Sequence, residues 1–172
     1  RAVMDGRVCG PGEEGELRVK GPQVCMGHLD ASLDAEAFDA DGWFRTGDLG
    51  YLDEDGYLFI TDRKKDMIIS GGANIFPAEI EAVLMRAPFI QDVAVFGAPD
   101  PEFGETVVAA IQPAADWTPA ASEVLEFLEG KLARFKHPRV VDFHADLPRE
   151  DSGKIFKPRL REPYWRDAGR QI

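Results

Sequence analysis

Lys154 is the side chain in this 172-residue sequence best suited to meeting a phosphate or a carboxylate. It closes Pro148-Arg149-Glu150-Asp151-Ser152-Gly153-Lys154, and Ile155-Phe156-Lys157 follows. Ser and Gly favour a turn at that point. The lysine therefore stands near a loop tip, a point charge on a flexible stem. Taken alone, the segment also reads as an exposed lysine in a polar surface turn. A P-loop is excluded, because Ile155 replaces the required Ser or Thr and Pro148 replaces the first glycine.

Other reactive groups carry less. Ser70 lies in Ile-Ser-Gly-Gly rather than Gly-x-Ser-x-Gly, so a hydrolase elbow is unsupported. His28, His137 and His144 show no triad spacing, and Gly10-Pro11-Gly12 reads as a turn. Cys9 and Cys25 form no Cys-x-x-Cys pair and have no histidine at zinc spacing. Free thiols and no metal site are the expectation, in keeping with a reducing, cytoplasmic location. Asp53-Glu54-Asp55-Gly56 lacks the calcium-loop pattern and reads as a turn.

The elements that must position these groups follow from hydrophobic period and turn residues. Val3–Cys9 is a short segment broken by Gly6 and Gly10, and Glu16–Lys20 alternates like a half-buried strand. A short helical turn is expected over Asp34–Phe38. Trp43–Leu52 and Tyr57–Thr61, joined by an Asp-Gly turn, read as a hairpin. Asp62-Arg63-Lys64-Lys65-Asp66 has no apolar side chain and reads as a connection between structural units. Met67–Ser70 is a strand, Gly71-Gly72 a turn, and Pro77–Ala87 a helix with Ile80, Val83 and Leu84 on one face. Strands are expected at Val93–Phe96, Thr106–Ile111 and Val140–Phe143, with a loop over Pro113–Pro119. Ser122–Phe135 reads as a helix capped by Ser122, and a last short helix is expected from Lys157 to about Glu162. The fold class is α+β: a small domain with a short sheet and packed helices over residues 65–172, preceded at 1–64 by the β-rich end of a larger unit.

Charge is unevenly spread. Residues 1–130 hold 9 Lys/Arg and 25 Asp/Glu, whereas residues 131–172 hold 11 and 6. The acidic body argues against nucleic-acid binding, and the basic tail suits a small anion. No window reaches the roughly 18–20 apolar residues of a membrane span. The opening on Arg1, without a signal peptide, gives the expectation of a piece of a longer protein.

Three segments, taken together, carry a resemblance. They are Gly42-Trp43-Phe44-Arg45-Thr46-Gly47-Asp48-Leu49-Gly50, the run from Asp62 through Gly71-Gly72 to Glu81, and Leu147–Ile155. In this order and spacing they resemble the C-terminal motifs of adenylate-forming enzymes, a superfamily of acyl-CoA synthetases, peptide-synthetase adenylation domains and luciferases. The resemblance runs from Gly15 to Arg161.

It implies roles residue by residue. Asp48 would accept hydrogen bonds from the ribose hydroxyls of adenosine, and Arg63 would approach the ribose and phosphate. Lys65 matches the hinge on which the C-terminal domain pivots between half-reactions. Gly71 and Gly72 match the loop lining the CoA pantetheine channel. Lys154 would contact the substrate carboxylate and the α-phosphate during adenylation, stabilising charge as pyrophosphate leaves. Ala133-Arg134-Phe135-Lys136-His137-Pro138 is similar to a family segment whose cations, here Arg134 and Lys136, are candidates for CoA phosphates. At a helix end they would equally be solvated charges.

Within the superfamily, Leu-Pro-Arg-x-x-Ser-Gly-Lys-Ile resembles the acyl-CoA synthetase version, and Ile69 stands where luciferases carry a further lysine. The implied activity joins a carboxylic acid, fatty or aromatic, to ATP as acyl-AMP and then to CoA. Mg2+ accompanies the ATP, with no ligand to it named here. The partners are ATP/AMP, CoA and the acid, together with the N-terminal domain that carries the phosphate loop and acyl pocket. Without that domain the chain is expected to be inert. The alternatives are a peptide-synthetase adenylation domain and a non-catalytic, lid-like interaction module.

Overall fold

The computed structural model describes residues 1–115, 117–118 and 120–166. The chain divides into two compact units, Arg1–Lys65 and a second beginning at Asp66.

The first unit is an antiparallel sheet. Its strands are β1 (Ala2–Met4), β2 (Arg7–Val8), β3 (Gly15–Val19), β4 (Phe44–Leu52) and β5 (Leu58–Arg63), in the order β2-β1-β3-β4-β5. The short helix α1 (Asp34–Ala37) precedes β4. The Asp-Gly cue delivers the β4–β5 hairpin: Asp53 Oδ1 accepts from the N–H groups of Asp55 and Tyr57 at 3.1 and 2.8 Å, and Gly56 takes φ +82°. Opposite Leu49 and Gly50, β5 holds one extra residue, Thr61, a bulge that bends it against β4. At Gly50 any Cβ would overlap the Phe59 carbonyl, so the close strand approach there depends on glycine.

The expected connection over 62–66 is partly sheet. Asp62 and Arg63 extend β5, with Arg63 paired in register opposite Asp48, and Lys64–Asp66 form one 3-10 turn. A charged run without apolar residues can still be strand when its partner supplies the ladder, which charge patterning does not reveal.

The second unit is built on β9 (Gly104–Pro113). On one side it pairs along its whole length with β8 (Ile90–Asp100), antiparallel. It also pairs in parallel with β10 (Val140–Phe143), and at Gly104 with β6 (Ile68–Ser70), which forms a hairpin with β7 (Ala73–Ile75). Helices α2 (Pro77–Leu84), α3 (Ala121–Leu128) and α4 (Lys157–Trp165) complete it.

Both faces of the β8–β9 hairpin are buried, which explains its almost unbroken apolar sequence. Val93, Val95, Val107, Ala109 and Ile111 join Ile80 and Leu84 of α2 and Val124 and Leu128 of α3. Ala94, Phe96, Ala98, Val108 and Ala110 alternate to the opposite face, where Leu147 and Leu160 cover them. The architecture is α+β, as expected. The strands exceed their sequence signals because flanking Gln, Asp, Glu and Pro residues are carried along by the hairpin register.

Two helix expectations change. α3 stops at Leu128 instead of Phe135, since Gly130 (φ +72°) ends it and Arg134–Lys136 form a separate 3-10 turn. Its N-cap is Ala120, not Ser122: the Glu123 carboxylate accepts from the Ala120 N–H at 2.7 Å. α2 ends at Leu84, short of Ala87. In the expected loop over Pro113–Pro119, positions 116 and 119 lie outside the described residues.

Candidate active-site residues

Three of the predicted residues meet in the first unit. Thr46, Gly47, Asp48, Arg63, Lys64 and Lys65 line an open cleft of about 570 Å3. Arg63 Nε lies 3.8 Å from Asp48 Oδ1 across neighbouring strands. Thr46 fixes this end of β4: its hydroxyl donates to the Leu17 carbonyl at 2.8 Å and accepts from the Asp48 N–H at 3.1 Å. Lys64 is drawn off by buried Glu16 at 3.3 Å, while Lys65 has no side-chain partner among the described residues. The cleft thus presents an acceptor-only carboxylate beside donor-only cations. That set fits a vicinal diol next to an anionic group.

A second cleft, of about 610 Å3, lies within the second unit. Gly71 and Arg134 line it together with Ser70, Phe103, Phe135 and Arg139. Gly71 and Gly72 take φ +57° and +82°, the left-handed pair that a two-residue hairpin turn requires. Arg134 is exposed, without a side-chain partner among the described residues. Lys136 lines neither cleft. Its ammonium is bound by both carboxylate oxygens of Glu79 at 2.8 and 2.6 Å, so the charge expected for a CoA phosphate is already engaged. Gly72 lines neither cleft as well.

Lys154 sits on a small hairpin of the second unit. Phe156 N–H donates to the Pro148 carbonyl at 2.7 Å, Glu150 N–H to the Lys154 carbonyl at 2.8 Å, and Gly153 N–H to the Glu150 carbonyl at 2.8 Å. Gly153 takes φ +84°, which closes the turn at no steric cost. Buried Leu147 and half-buried Ile155 root the two arms in the core. The Lys154 side chain is exposed and has no partner among the described residues. The arrangement is a free ammonium on a fixed base.

Sequence reasoning missed the residues that brace these sites. Arg149 donates to the Gly153 carbonyl at 2.9 Å and pairs with Asp92, joining the lysine hairpin to β8. Asp92 and Arg149 are 57 positions apart, and no local pattern announces the contact. Asp100, Phe103 and Arg139 stand behind the Gly71 turn. The Asp100 carboxyl is held below its usual range by the N–H groups of Phe103 and Glu102 and by the charge of Arg139. The turn-forming run Asp100-Pro101-Glu102-Phe103-Gly104 was the one signal available for this loop.

Residues 79–154 match the family model of the AMP-binding enzyme C-terminal domain. The chain is 47% identical to an indoleacetate–CoA ligase of Aromatoleum aromaticum over 92% of its length, which is 31% of that protein. Its fold is similar to the ATP-bound MatB of Rhodopseudomonas palustris, with a TM-score of 0.87 and 40% identity over 96% of this chain and 33% of the other. It is also similar to the o-succinylbenzoate coenzyme A synthetase of Bacillus subtilis, solved with ATP and magnesium, at TM-score 0.81 and 39% identity over 92% and 33%. The chain therefore spans about a third of the length of these relatives. Family model, sequence relative and solved structures agree with the three motifs and the α+β fold: the chain belongs to the adenylate-forming superfamily, of which it carries the C-terminal portion.

Proposed function

We propose that this chain is the C-terminal part of an ATP-dependent acyl-CoA ligase, which activates a carboxylic acid as acyl-AMP and transfers the acyl group to CoA. The observation that carries the reading is the meeting of Asp48, Arg63 and Lys65 in one open cleft, with Asp48 and Arg63 3.8 Å apart. Asp48 supplies acceptors for the ribose hydroxyls, and Arg63 supplies donors to the adjoining phosphate. Lys65 serves as the hinge residue, lying at the boundary between the two compact units.

Lys154 acts in the first half-reaction. Its ammonium offsets the negative charge that grows at the α-phosphate as pyrophosphate leaves. The Gly71-Gly72 turn acts in the second, lining the path of the pantetheine arm, with Arg134 as the cation facing the CoA phosphates. Magnesium supplies charge neutralisation to the ATP phosphates. Among the described residues no group of three or more His, Cys, Asp and Glu is gathered to hold a metal ion, and none is assigned to it.

The acid belongs to the carboxylic acids at large. Fatty acids and aryl-substituted acids of the indoleacetate kind are the classes to test first. The experiment supplies the full-length protein with ATP, Mg2+, CoA and such a panel, and follows AMP and thioester. Acid-dependent thioester formation is expected. AMP release that needs an amine in place of CoA would replace this reading by amide-forming chemistry. The isolated chain is expected to give no turnover, and turnover by it would refute the division of the site.

A further inference from the structure

We propose that Asp100, Phe103 and Arg139 form one positioning unit that sets the Gly71 turn, and through it the CoA-dependent half-reaction; this rests on the CoA-ligase reading above. Four contacts define the unit. The Gly71 N–H donates to the Phe103 carbonyl at 2.9 Å. A Cβ placed on Gly71 would lie 3.1 Å from Phe103 Cδ1, so the ring lies flush against the turn. The Arg139 guanidinium stands 4.2 Å from the centroid of the same ring, and its NH1 is 3.9 Å from Asp100 Oδ2. Asp100 Oδ1 in turn accepts from the N–H groups of Phe103 and Glu102 at 2.8 and 2.9 Å, which fixes the loop that carries the ring.

The unit joins three elements. Ser70 pairs with Gly104, linking the end of β6 to the start of β9, and the Arg139 N–H donates to the Val107 carbonyl at 3.0 Å just before β10. Ser70, Gly71, Phe103 and Arg139 all line the second cleft, so the ring is both support and wall. A two-glycine turn has little conformational preference of its own. Packing from Phe103 is what holds this one in a single shape. Arg139 is committed to Asp100 and to the ring face, where a planar cation is favoured over an ammonium. Arg134 is thereby left as the guanidinium in the cleft without a partner among the described residues.

The test uses Phe103→Ala and Phe103→Tyr in the full-length protein. Single-turnover pyrophosphate release reports adenylation. Thioester formation from preformed acyl-adenylate, at varied CoA, reports the second step. Phe103→Ala should slow the second step about tenfold and raise the CoA concentration for half-maximal rate, with adenylation changed less than about twofold. Phe103→Tyr, which keeps the ring, should restore the second step. Equal loss of both half-reactions, or no loss of the second, would overturn the proposal. Amide exchange at Gly71 is measured alongside, and it should quicken in Phe103→Ala. If the unsubstituted protein makes no thioester, the CoA-ligase reading fails. Gly71 exchange then decides the positioning unit by itself, and unchanged protection would remove it.

Discussion

Lys154 gains its proposed role from being exposed and unencumbered. Its side chain has no partner among the described residues, so Lys154→Ala removes no fold contact and should alter stability by less than about 0.5 kcal/mol. The adenylation half-reaction should fall by about 10²–10³, as when one donor to a developing charge is lost, while thioester formation from preformed acyl-adenylate stays intact. Half-reaction kinetics beside a thermal melt check both parts. Asp39 shows the opposite case, a carboxylate with a structural task. The Trp43 N–H, the Arg18 guanidinium, the Asp41 N–H and the Arg1 side chain bring it from 3.8 to about 2. A depressed carboxylate stabilises the fold above its unfolded value, and the contribution disappears as pH falls through the folded one. The first unit should therefore lose stability between about pH 4 and pH 2. Asp39→Asn should flatten that part of the profile in a pH series of urea unfolding.

Among elements, the two hairpins of the second unit that carry candidate groups depend on glycine conformation and on remote braces. Gly71→Ala meets both a φ of +57° and the Phe103 ring, and should cost about 1–2 kcal/mol. Chemical denaturation measures that cost, and the half-saturating CoA concentration should rise with it. For the lysine hairpin the brace is Arg149, bonded to the Gly153 carbonyl and to Asp92. Arg149→Ala should slow adenylation by about tenfold while the CoA-dependent step is unchanged, because it frees the base of Lys154 without touching the Gly71 turn. An unaltered adenylation rate would show that the core contacts of Leu147 and Ile155 suffice to hold the hairpin.

In the molecule as a whole, apolar burial is concentrated in the second unit. Both extended buried clusters belong to it, whereas the first unit buries chiefly Ala2, Val3, Leu17 and Leu49. Amide exchange in rising denaturant should show the first unit opening before the second. Leu128→Ala empties a fully buried position of the larger cluster, at a cost of about 2–5 kcal/mol. Peptides of the second unit should register that loss and those of β1–β5 should not. A single transition, with all peptides shifted alike, would mean that the two units unfold as one.

The sequence by itself determined the α+β class, most strand and helix positions and the three motif segments. Those rest on periodicity, turn residues and residue order, all of which are local. The Asp53–Gly56 turn and the apolar runs of β8 and β9 are of this kind. Tertiary structure alone decided which cations are free. Arg134 and Lys136 look alike in sequence, yet Glu79, 57 positions from Lys136, engages one and leaves the other in the cleft. It also decided that Arg63 belongs to a strand opposite Asp48, and that Phe103 lies against Gly71. Such pairings come from sheet register and loop packing between distant segments, where residue spacing along the chain carries no distance in space.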